Sequence, residues 1–241
     1  AAHNIALDYV KSRGISEKTI SNFTIGYFPI GQQGIKSLLN YCKDRGVLAQ
    51  ELIQSNILME SKHSNGLYSP FEDRIIFPIK DHLGRFCAFG GRIFKPEDTR
   101  AKYYNSHDHS FFNKGSILFG LDIAKKSIQQ HENVFLVEGY MDAIMMVQYG
   151  FTNTIATLGT SCTTEHLRQL SRYAQKLSVI YDGDSAGQKA IIRLTKLCWE
   201  FNMDLSVVTL PKQDDPASFL TRGGNLIELV QGAQDIFLFF I

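Results

Sequence analysis

The sequence has few of the residues that disulfide frameworks and zinc sites require. Its 241 residues include four widely spaced cysteines, and no Cys-x-x-Cys pair is present; the cysteines are Cys42, Cys87, Cys162 and Cys198. No zinc is therefore expected within this chain. Scattered free thiols are typical of proteins from a reducing cytosol.

Long apolar segments are also missing. No run approaches the roughly 20 residues of a membrane-spanning helix, so we expect no membrane partner. Residues 1–4 lack the basic and apolar regions of a signal peptide and do not begin with Met. The apolar run at 236–241 would be unusual as a free chain end. We therefore expect a piece of a longer, cytoplasmic protein.

The chain has almost no net charge, because 25 Lys and Arg residues oppose 24 Asp and Glu residues. Overall charge therefore gives no sign of a nucleic-acid partner, but the distribution of charge is uneven. Residues 74–126 contain ten basic and five acidic residues. Such a segment suits contacts with nucleic-acid or nucleotide phosphates, and a solvated charged surface is the plain alternative for any single lysine.

Two regions differ in their predicted secondary structure. Residues 1–130 mix helical patterns with a buried strand over 74–79 and a hairpin turn over 81–84, which indicates an α+β region. From residue 131 onward, short apolar strands alternate with helices; the strands are near 134–137, 154–158, 177–181 and 205–210. This alternation predicts an α/β region, with a parallel sheet covered by helices on both faces.

Acidic residues follow three of these four strands. Glu138 follows the first strand, Asp182 and Asp184 follow the third, and Asp214 and Asp215 follow the fourth. Because the carboxyl ends of parallel strands meet at one edge of a sheet, we expect these side chains to lie close together. Carboxylates in such proximity repel one another unless a cation is present, and Mg²⁺ prefers hard oxygen ligands. The sequence therefore predicts a divalent-metal site suited to phosphoryl transfer.

Each acid also has a plainer structural explanation. An acid after a strand commonly caps the next helix, as Asp184 could, and Asp142 could favour the first turn of its own helix. Asp214 and Asp215, which precede a proline, could form an exposed turn. A calcium-binding loop that starts at Asp182 is excluded, because Arg193 stands at its twelfth position, where Glu is needed. A receiver-type phosphoacceptor site is not supported either, because it needs an earlier acidic doublet and a strand-end Lys.

Ten short motifs follow one another along the chain; they lie at 13–15, 23–27, 74–79, 89–92, 102–106, 114–115, 118–121, 137–142, 158–161 and 181–187. In this order they resemble the motifs of bacterial DnaG-type primases. The last three are similar to the TOPRIM domain of that family, a fold also found in topoisomerases of types IA and II and in some nucleases. The resemblance implies an N-terminal α+β subdomain over 1–130, a TOPRIM-type parallel-sheet subdomain over 131–215 and the start of a helical subdomain over 216–241.

The resemblance also implies an activity, the synthesis of short RNA primers on single-stranded DNA from ribonucleoside triphosphates. Glu138, Asp182 and Asp184 would be catalytic, and together with Asp142 and Asp215 they would bind two or more Mg²⁺ or Mn²⁺ ions. Residues of the upstream motifs would contact the template or the nucleotide; they are Arg74, Arg92, Lys102, Asn105 and Lys114. The neighbouring Tyr103 and Tyr104 would either stack on a base or pack in the core.

One motif departs from the family pattern. Primases often have Asp-Pro-Asp after the fourth strand, whereas this chain has Asp215-Pro216-Ala217, and Ala217 cannot bind a metal through its side chain. Asp215 is then the matched acid, and Asp214 is a candidate substitute. The family also has a zinc-binding domain and a domain that binds the replicative helicase, and we expect both interactions to use regions outside this chain.

Other functions stay open at this point. A different TOPRIM enzyme, a topoisomerase or a nuclease, would share the acidic residues, although a topoisomerase needs a nucleophilic Tyr in a separate large domain. A catalytically idle scaffold that binds single-stranded DNA would have the same basic segment but would make no primers. Incubation with single-stranded DNA, Mg²⁺ and labelled ribonucleotides distinguishes these possibilities.

Overall fold

A computed structural model of the protein describes residues 2–61, 66–181, 185–211 and 214–236. The chain divides into two compact units, the first formed by residues 1–79 and 86–113 and the second by residues 80–85 and 114–241. Within the described ranges, none of the helices combines the length and apolar character that crossing a membrane requires.

The first unit is an α+β assembly. Its helices are α1 (Ala2–Ser12), α2 (Glu17–Asn22), α3 (Gln32–Lys43) and α4 (Ala49–Gln54), and its strands are β1 (Gly26–Phe28), β2 (Met59–Glu60), β3 (Leu67–Tyr68), β4 (Arg74–Lys80), β5 (Phe86–Arg92) and β6 (Tyr103–Asn105). One sheet has the order β1-β4-β5-β6, and β2 pairs with β3 separately. Ile75, Phe77 and Ile79 are buried at alternate positions of β4, so the predicted strand over 74–79 is confirmed.

The second unit is a parallel α/β assembly. Its elements are α5 (Leu121–His131), β7 (Asn133–Val137), α6 (Tyr140–Gln148), β8 (Thr154–Ala156), α7 (Thr164–Leu170), β9 (Lys176–Tyr181), α8 (Ser185–Glu200), β10 (Asp204–Thr209), α9 (Pro216–Thr221), α10 (Leu226–Gln231) and β11 (Gln234–Asp235). The strand order is β11-β10-β9-β7-β8, in which β7 to β10 are parallel and β11 is antiparallel to β10. The predicted order of an α+β region followed by a parallel α/β region is confirmed.

Helix α5 belongs to the second unit, although the sequence pattern places a boundary at residue 130. Leu121, Ala124 and Ile128 lie on one face of this helix and pack in the same buried cluster as Leu136 of β7. Burial of a Leu or Ile side chain stabilises the fold by about 1.5–3 kcal/mol, which ties α5 to the sheet. The units therefore divide between residues 113 and 114, and the subdomain limits of 1–130 and 131–215 stay a prediction.

The end of the described chain also packs on the second unit. Helix α9 contacts α6, α10 contacts β10, and Ile236 is buried in the cluster of the sheet. Residues 216–236 are thus part of this compact unit. That 216–241 begins a separate helical subdomain stays a prediction.

The register of the parallel strands aligns their carboxyl ends. Val137 pairs with Ala156, Leu136 pairs with Val179, and Thr209 pairs with Tyr181. The carboxyl ends of β7, β8, β9 and β10 therefore lie at one edge of the sheet, here termed the carboxyl edge. This is the edge at which parallel α/β sheets bind their ligands.

Candidate active site

Glu138 is the first residue after β7 at the carboxyl edge, and its side chain is exposed. Gly139 follows as the N-cap of α6. A Cβ atom at Gly139 would lie only 2.9 Å from Oδ2 of Asp142, so a side chain at position 139 would displace that carboxylate. Glycine here allows Asp142 to approach the start of α6 closely, beside Glu138.

The half-buried Asp142 links two helices of the site. Its Oδ1 accepts a hydrogen bond from the backbone N–H of Ala217 at 3.2 Å, which joins the first turn of α6 to the start of α9. Ala217 therefore contacts the site through its main chain. The sequence could not reveal this contact, because every residue except proline has the same N–H donor.

The two acids before α9 both have partners within the chain. Asp215 is the N-cap of α9, and its Oδ1 accepts from the N–H of Ser218 at 2.6 Å. Asp214 is buried; its Oδ2 forms an ion pair with Arg222, and its Oδ1 accepts from Oγ of Ser218 at 3.2 Å. A metal contact by Asp214 in place of the acid missing at Ala217 would have to replace these bonds. The exposed-turn explanation for this pair is wrong, because Asp214 is buried and Asp215 caps α9. The role of Asp215 as a metal ligand stays a prediction.

Asp182 and Asp184 lie outside the described residues. The strand that precedes them, β9, ends at Tyr181 between β7 and β10. Among the described side chains, no group of three or more His, Cys, Asp or Glu residues could hold a metal ion. The exposed Glu138 and half-buried Asp142 nevertheless supply hard carboxylate oxygens at the carboxyl edge, and that donor chemistry fits Mg²⁺ or Mn²⁺.

Lys114 lies in a turn of the second unit, and its side chain is half-buried. The carbonyl oxygen of Gly115 accepts a hydrogen bond at 2.6 Å from Oγ1 of Thr163, the N-cap of α7. Phe119 then pairs with Ala156, the last residue of β8, through backbone hydrogen bonds of 2.9 and 3.0 Å. The chain around Lys114 is thus attached at the carboxyl edge, in the same unit as Glu138.

Arg74 and Arg92 are buried in the first unit, with 3% and 7% of their surfaces exposed. Arg74 donates hydrogen bonds to the carbonyl oxygens of Pro70 at 3.2 Å and Ala101 at 2.9 Å. Burial lowers the pKa of the Arg74 guanidinium, and the charge of Arg100 adds to that effect. These internal bonds give Arg74 a structural role, and a phosphate contact stays a prediction.

Arg92 is held by two phenol groups. It donates to Oη of Tyr9 through Nε at 3.1 Å and through Nη2 at 2.8 Å, and it donates through Nη1 to Oη of Tyr103. These bonds connect the end of β5 to α1 and to β6. Tyr103 is therefore engaged with Arg92, and neither its predicted stacking on a base nor a phosphate contact of Arg92 is tested by this geometry.

Lys102 and Asn105 lie on either side of the tyrosine pair. The exposed Lys102 has its Nζ 5.9 Å from the ring centroid of Tyr103, and the half-buried Asn105 pairs with Gly90 across β5 and β6. Tyr104 packs edge-on against Phe71 at 5.2 Å between ring centroids. Tyr104 thus has the core-packing role, and Lys102 is the most accessible of the predicted contact residues in this unit.

Comparison with known proteins matches the two halves of the chain to two different families. The family described as "DNA primase catalytic core, N-terminal domain" matches residues 1–125, and the family described as "Toprim-like" matches residues 135–220. The DNA primase of Deinococcus radiodurans is 38% identical over 219 residues, which cover 90% of this chain and 38% of that protein. The chain thus spans well under half of the length of this curated relative.

Solved structures agree with the sequence matches. The zinc-binding and RNA polymerase domains of Aquifex aeolicus primase superpose with a TM-score of 0.87 at 35% identity, over 96% of this chain and 56% of that one. A DnaG primase catalytic domain bound to single-stranded DNA superposes with a TM-score of 0.84 at 32% identity, over 96% of this chain and 74% of that one. With Glu138 at the end of β7, Asp215 at the start of α9 and a matching N-terminal half, the chain belongs to the family of DNA primase catalytic cores.

Proposed function

We propose that this chain is the catalytic core of a bacterial DNA primase, which makes short RNA primers on single-stranded DNA from ribonucleoside triphosphates. The observation that carries the proposal is the parallel register of β7 and β9, in which Leu136 pairs with Val179. That register brings the residue after Val137, Glu138, next to the end of the strand that Asp182 and Asp184 follow. A neighbouring trio of acids is what nucleotidyl transfer requires.

In the proposed reaction, Glu138 orients the attacking 3′-hydroxyl of the primer and accepts its proton. Asp182 and Asp184, with Asp142 and Asp215, would hold two or more Mg²⁺ or Mn²⁺ ions. When bound, these ions would supply the positive charge that lowers the pKa of the hydroxyl and stabilises the leaving pyrophosphate. The Ala217 N–H fixes Asp142, and Gly139 leaves room for its carboxylate.

The nucleic acid and the nucleotide are the proposed partners of the basic residues. The related catalytic domain that was solved with single-stranded DNA supports such a partner for this family. Lys102 and Asn105 of the first unit and Lys114 of the second are the proposed phosphate contacts, with Arg74 and Arg92 as further candidates. We also propose action at the replication fork in the bacterial cytoplasm, with the helicase and the zinc-binding domain engaged through other regions of the primase.

The experiment is an incubation of the protein with single-stranded DNA, labelled ribonucleoside triphosphates and Mg²⁺ or Mn²⁺, followed by denaturing gel analysis. The expected products are short RNAs that depend on template, metal and Asp182. Asp182→Asn is the matched control, because it keeps the shape of the side chain and removes its charge. Cleavage of the DNA without RNA synthesis would indicate a nuclease or topoisomerase, and DNA binding without either product would indicate a scaffold; both results would overturn the proposal.

A further inference from the structure

The turn that contains Lys114 is held by side chains of a helix. Residues 114–116 are part of neither a helix nor a strand. The carbonyl oxygen of Gly115 accepts from Oγ1 of Thr163, and that of Ser116 accepts from Nε2 of Gln169, each at 2.6 Å. Buried or half-buried carbonyl groups require such partners, and here α7 and its cap supply them.

The residues that hold the turn share one face of α7. Thr163 and Gln169, which bind the turn, and His166 between them follow one another at intervals of three residues, which places them on the same side of a helix. Thr163 is the N-cap, so the face begins at the carboxyl edge, where the chain enters α7 after β8. This face of α7, which starts at the carboxyl edge, therefore lies against the Lys114 turn.

His166 is the central member of this face. It is fully buried, and its Nδ1 accepts a hydrogen bond from the N–H of Thr163 at 3.2 Å. Burial lowers the pKa of His166, and its interactions with the backbone of Lys114 and Ile117 oppose that shift. The ring therefore lies between the cap of α7 and the backbone of the Lys114 turn.

We propose that Thr163 and Gln169 are positioning residues, which hold the Lys114 turn so that the Lys114 ammonium reaches a phosphate at the carboxyl edge. This inference rests on the proposed function, in which Lys114 contacts the template or the incoming nucleotide. A lysine is a mobile point charge on a flexible stem, so the position of its backbone limits where that charge can go. The acids would then be positioned by the ends of the strands, and Lys114 would be positioned by α7, which belongs to the same unit.

The test is a double-mutant cycle of Lys114→Ala and Gln169→Ala, with the affinity for a labelled single-stranded oligonucleotide measured between 50 and 200 mM salt. Loss of one phosphate contact makes the slope of log affinity against log salt shallower by about 0.7. Between 50 and 200 mM salt, the factor by which affinity falls is therefore about threefold smaller for the variant than for the wild type. Gln169→Ala should flatten the slope in the same direction. In the Lys114→Ala background it should change nothing further, because its effect acts through Lys114.

A second arm separates the two sources of phosphate. Primer synthesis by the same four proteins gives the KM for the ribonucleoside triphosphate and the kcat. A change in the salt slope assigns Lys114 to the template. If the slope is unchanged and the KM rises severalfold, Lys114 is assigned to the nucleotide, provided that Gln169→Ala has no further effect on the KM of Lys114→Ala. Either result supports the inference.

Asn153→Ala is the matched control. Asn153 is buried and also donates a side-chain amide hydrogen bond to a main-chain carbonyl, that of Asn133 at 2.8 Å, but it lies at the amino end of β8. It should lower the melting temperature without altering the salt slope or the KM. Thr163→Ser, which keeps the hydroxyl for Gly115, should behave like the wild type, and Thr163→Val should not.

Several results would overturn the inference. Gln169→Ala could change the salt slope or the KM equally with and without Lys114, or it could behave like the Asn153→Ala control. In either case α7 would only stabilise the fold. If Lys114→Ala itself changed neither slope nor KM in a protein that makes primers, the phosphate contact of Lys114 would be wrong and the inference would fall with it. A wild-type protein that makes no primers would instead overturn the proposed function.

Discussion

At the scale of single residues, the buried Arg74 illustrates how a charge can serve the fold. Its guanidinium binds the carbonyl oxygens of Pro70 and Ala101, and the side chain of Arg74 also fills the space where Gly91 has no Cβ, since a Cβ there would lie 2.9 Å from Cδ of Arg74. Removal of the guanidinium would leave both carbonyl groups without these donors. The cost of an unsatisfied buried group is about 1–3 kcal/mol.

We therefore predict that Arg74→Met lowers the free energy of unfolding by about 1–3 kcal/mol, measured by urea titration. Arg85→Met is the matched control, because Arg85 is exposed and pairs with Asp81 on the surface, where such pairs contribute about 0–1 kcal/mol. Equal stability of the two variants would contradict the structural role of Arg74. The salt slope of DNA binding by Arg74→Met tests its predicted phosphate contact separately.

The ion pair between Asp98 and Arg100 predicts how the free energy of unfolding depends on pH. The hydrogen bond from the Arg100 side chain lowers the pKa of Asp98 to about 2. Since an unfolded Asp has a pKa of about 3.9, the contribution of this pair to stability is complete above about pH 4 and is lost as the pH falls towards about 2. The difference in unfolding free energy between the wild type and Asp98→Asn should therefore shrink over that range.

Urea titrations at pH 7 and at pH 2.5 check this prediction, because the other carboxylates contribute equally to both proteins. Arg100→Gln serves as the background control, in which Asp98→Asn should produce a smaller pH-dependent difference, because the backbone N–H of residue 100 and the charge of Arg74 remain. A wild-type advantage that stays constant down to pH 2.5 would show that the ion pair does not act as described.

At the scale of elements, the start of α9 combines a structural and a proposed catalytic task. Asp215 caps the helix, the neighbouring Ala217 N–H binds Asp142, and the sequence pattern predicts that Asp215 also binds metal. Asparagine caps helices about as well as aspartate does, whereas alanine loses about 1 kcal/mol of capping energy. Substitution by both residues can therefore separate the two tasks.

We predict that Asp215→Asn melts within about one degree of the wild type in EDTA, and that Asp215→Ala melts several degrees lower, consistent with a loss of about 1 kcal/mol. In Mg²⁺ or Mn²⁺ the wild type should gain stability by ligand binding to the native state, and both variants should gain less. An equal metal-induced gain in all three proteins would limit Asp215 to its capping role.

At the scale of the whole molecule, the sequence predicted the architecture of the second unit because its signals are local. Each strand from β7 to β10 is a short apolar run, and acids follow β7 and β9 directly and β10 after a few residues. Parallel pairing then determines that their ends share an edge, which the register of Val137 with Ala156 and of Tyr181 with Thr209 confirms.

Other features depended on contacts between distant segments and could not be predicted in this way. The bond between Arg92 and Tyr9 joins residues 83 positions apart, and a motif match does not tell whether a guanidinium faces a phosphate or a phenol. The Asp142 contact uses a main-chain donor of Ala217, which no side-chain pattern records. The proposed role of α7 in positioning the Lys114 turn has only a weak signal in the sequence, namely a capping Thr163 and polar residues at intervals of three.

The central claim is that the acids at the carboxyl edge perform metal-dependent nucleotidyl transfer. Initial rates of RNA primer synthesis on single-stranded DNA, compared for the wild type, Glu138→Gln and Asp182→Asn, test it most directly. Each variant should fold normally, as judged by circular dichroism and melting, yet make primers more slowly by a factor of about 10²–10³. Near-wild-type rates in either folded variant would contradict the role assigned to that acid, and in both they would contradict the account.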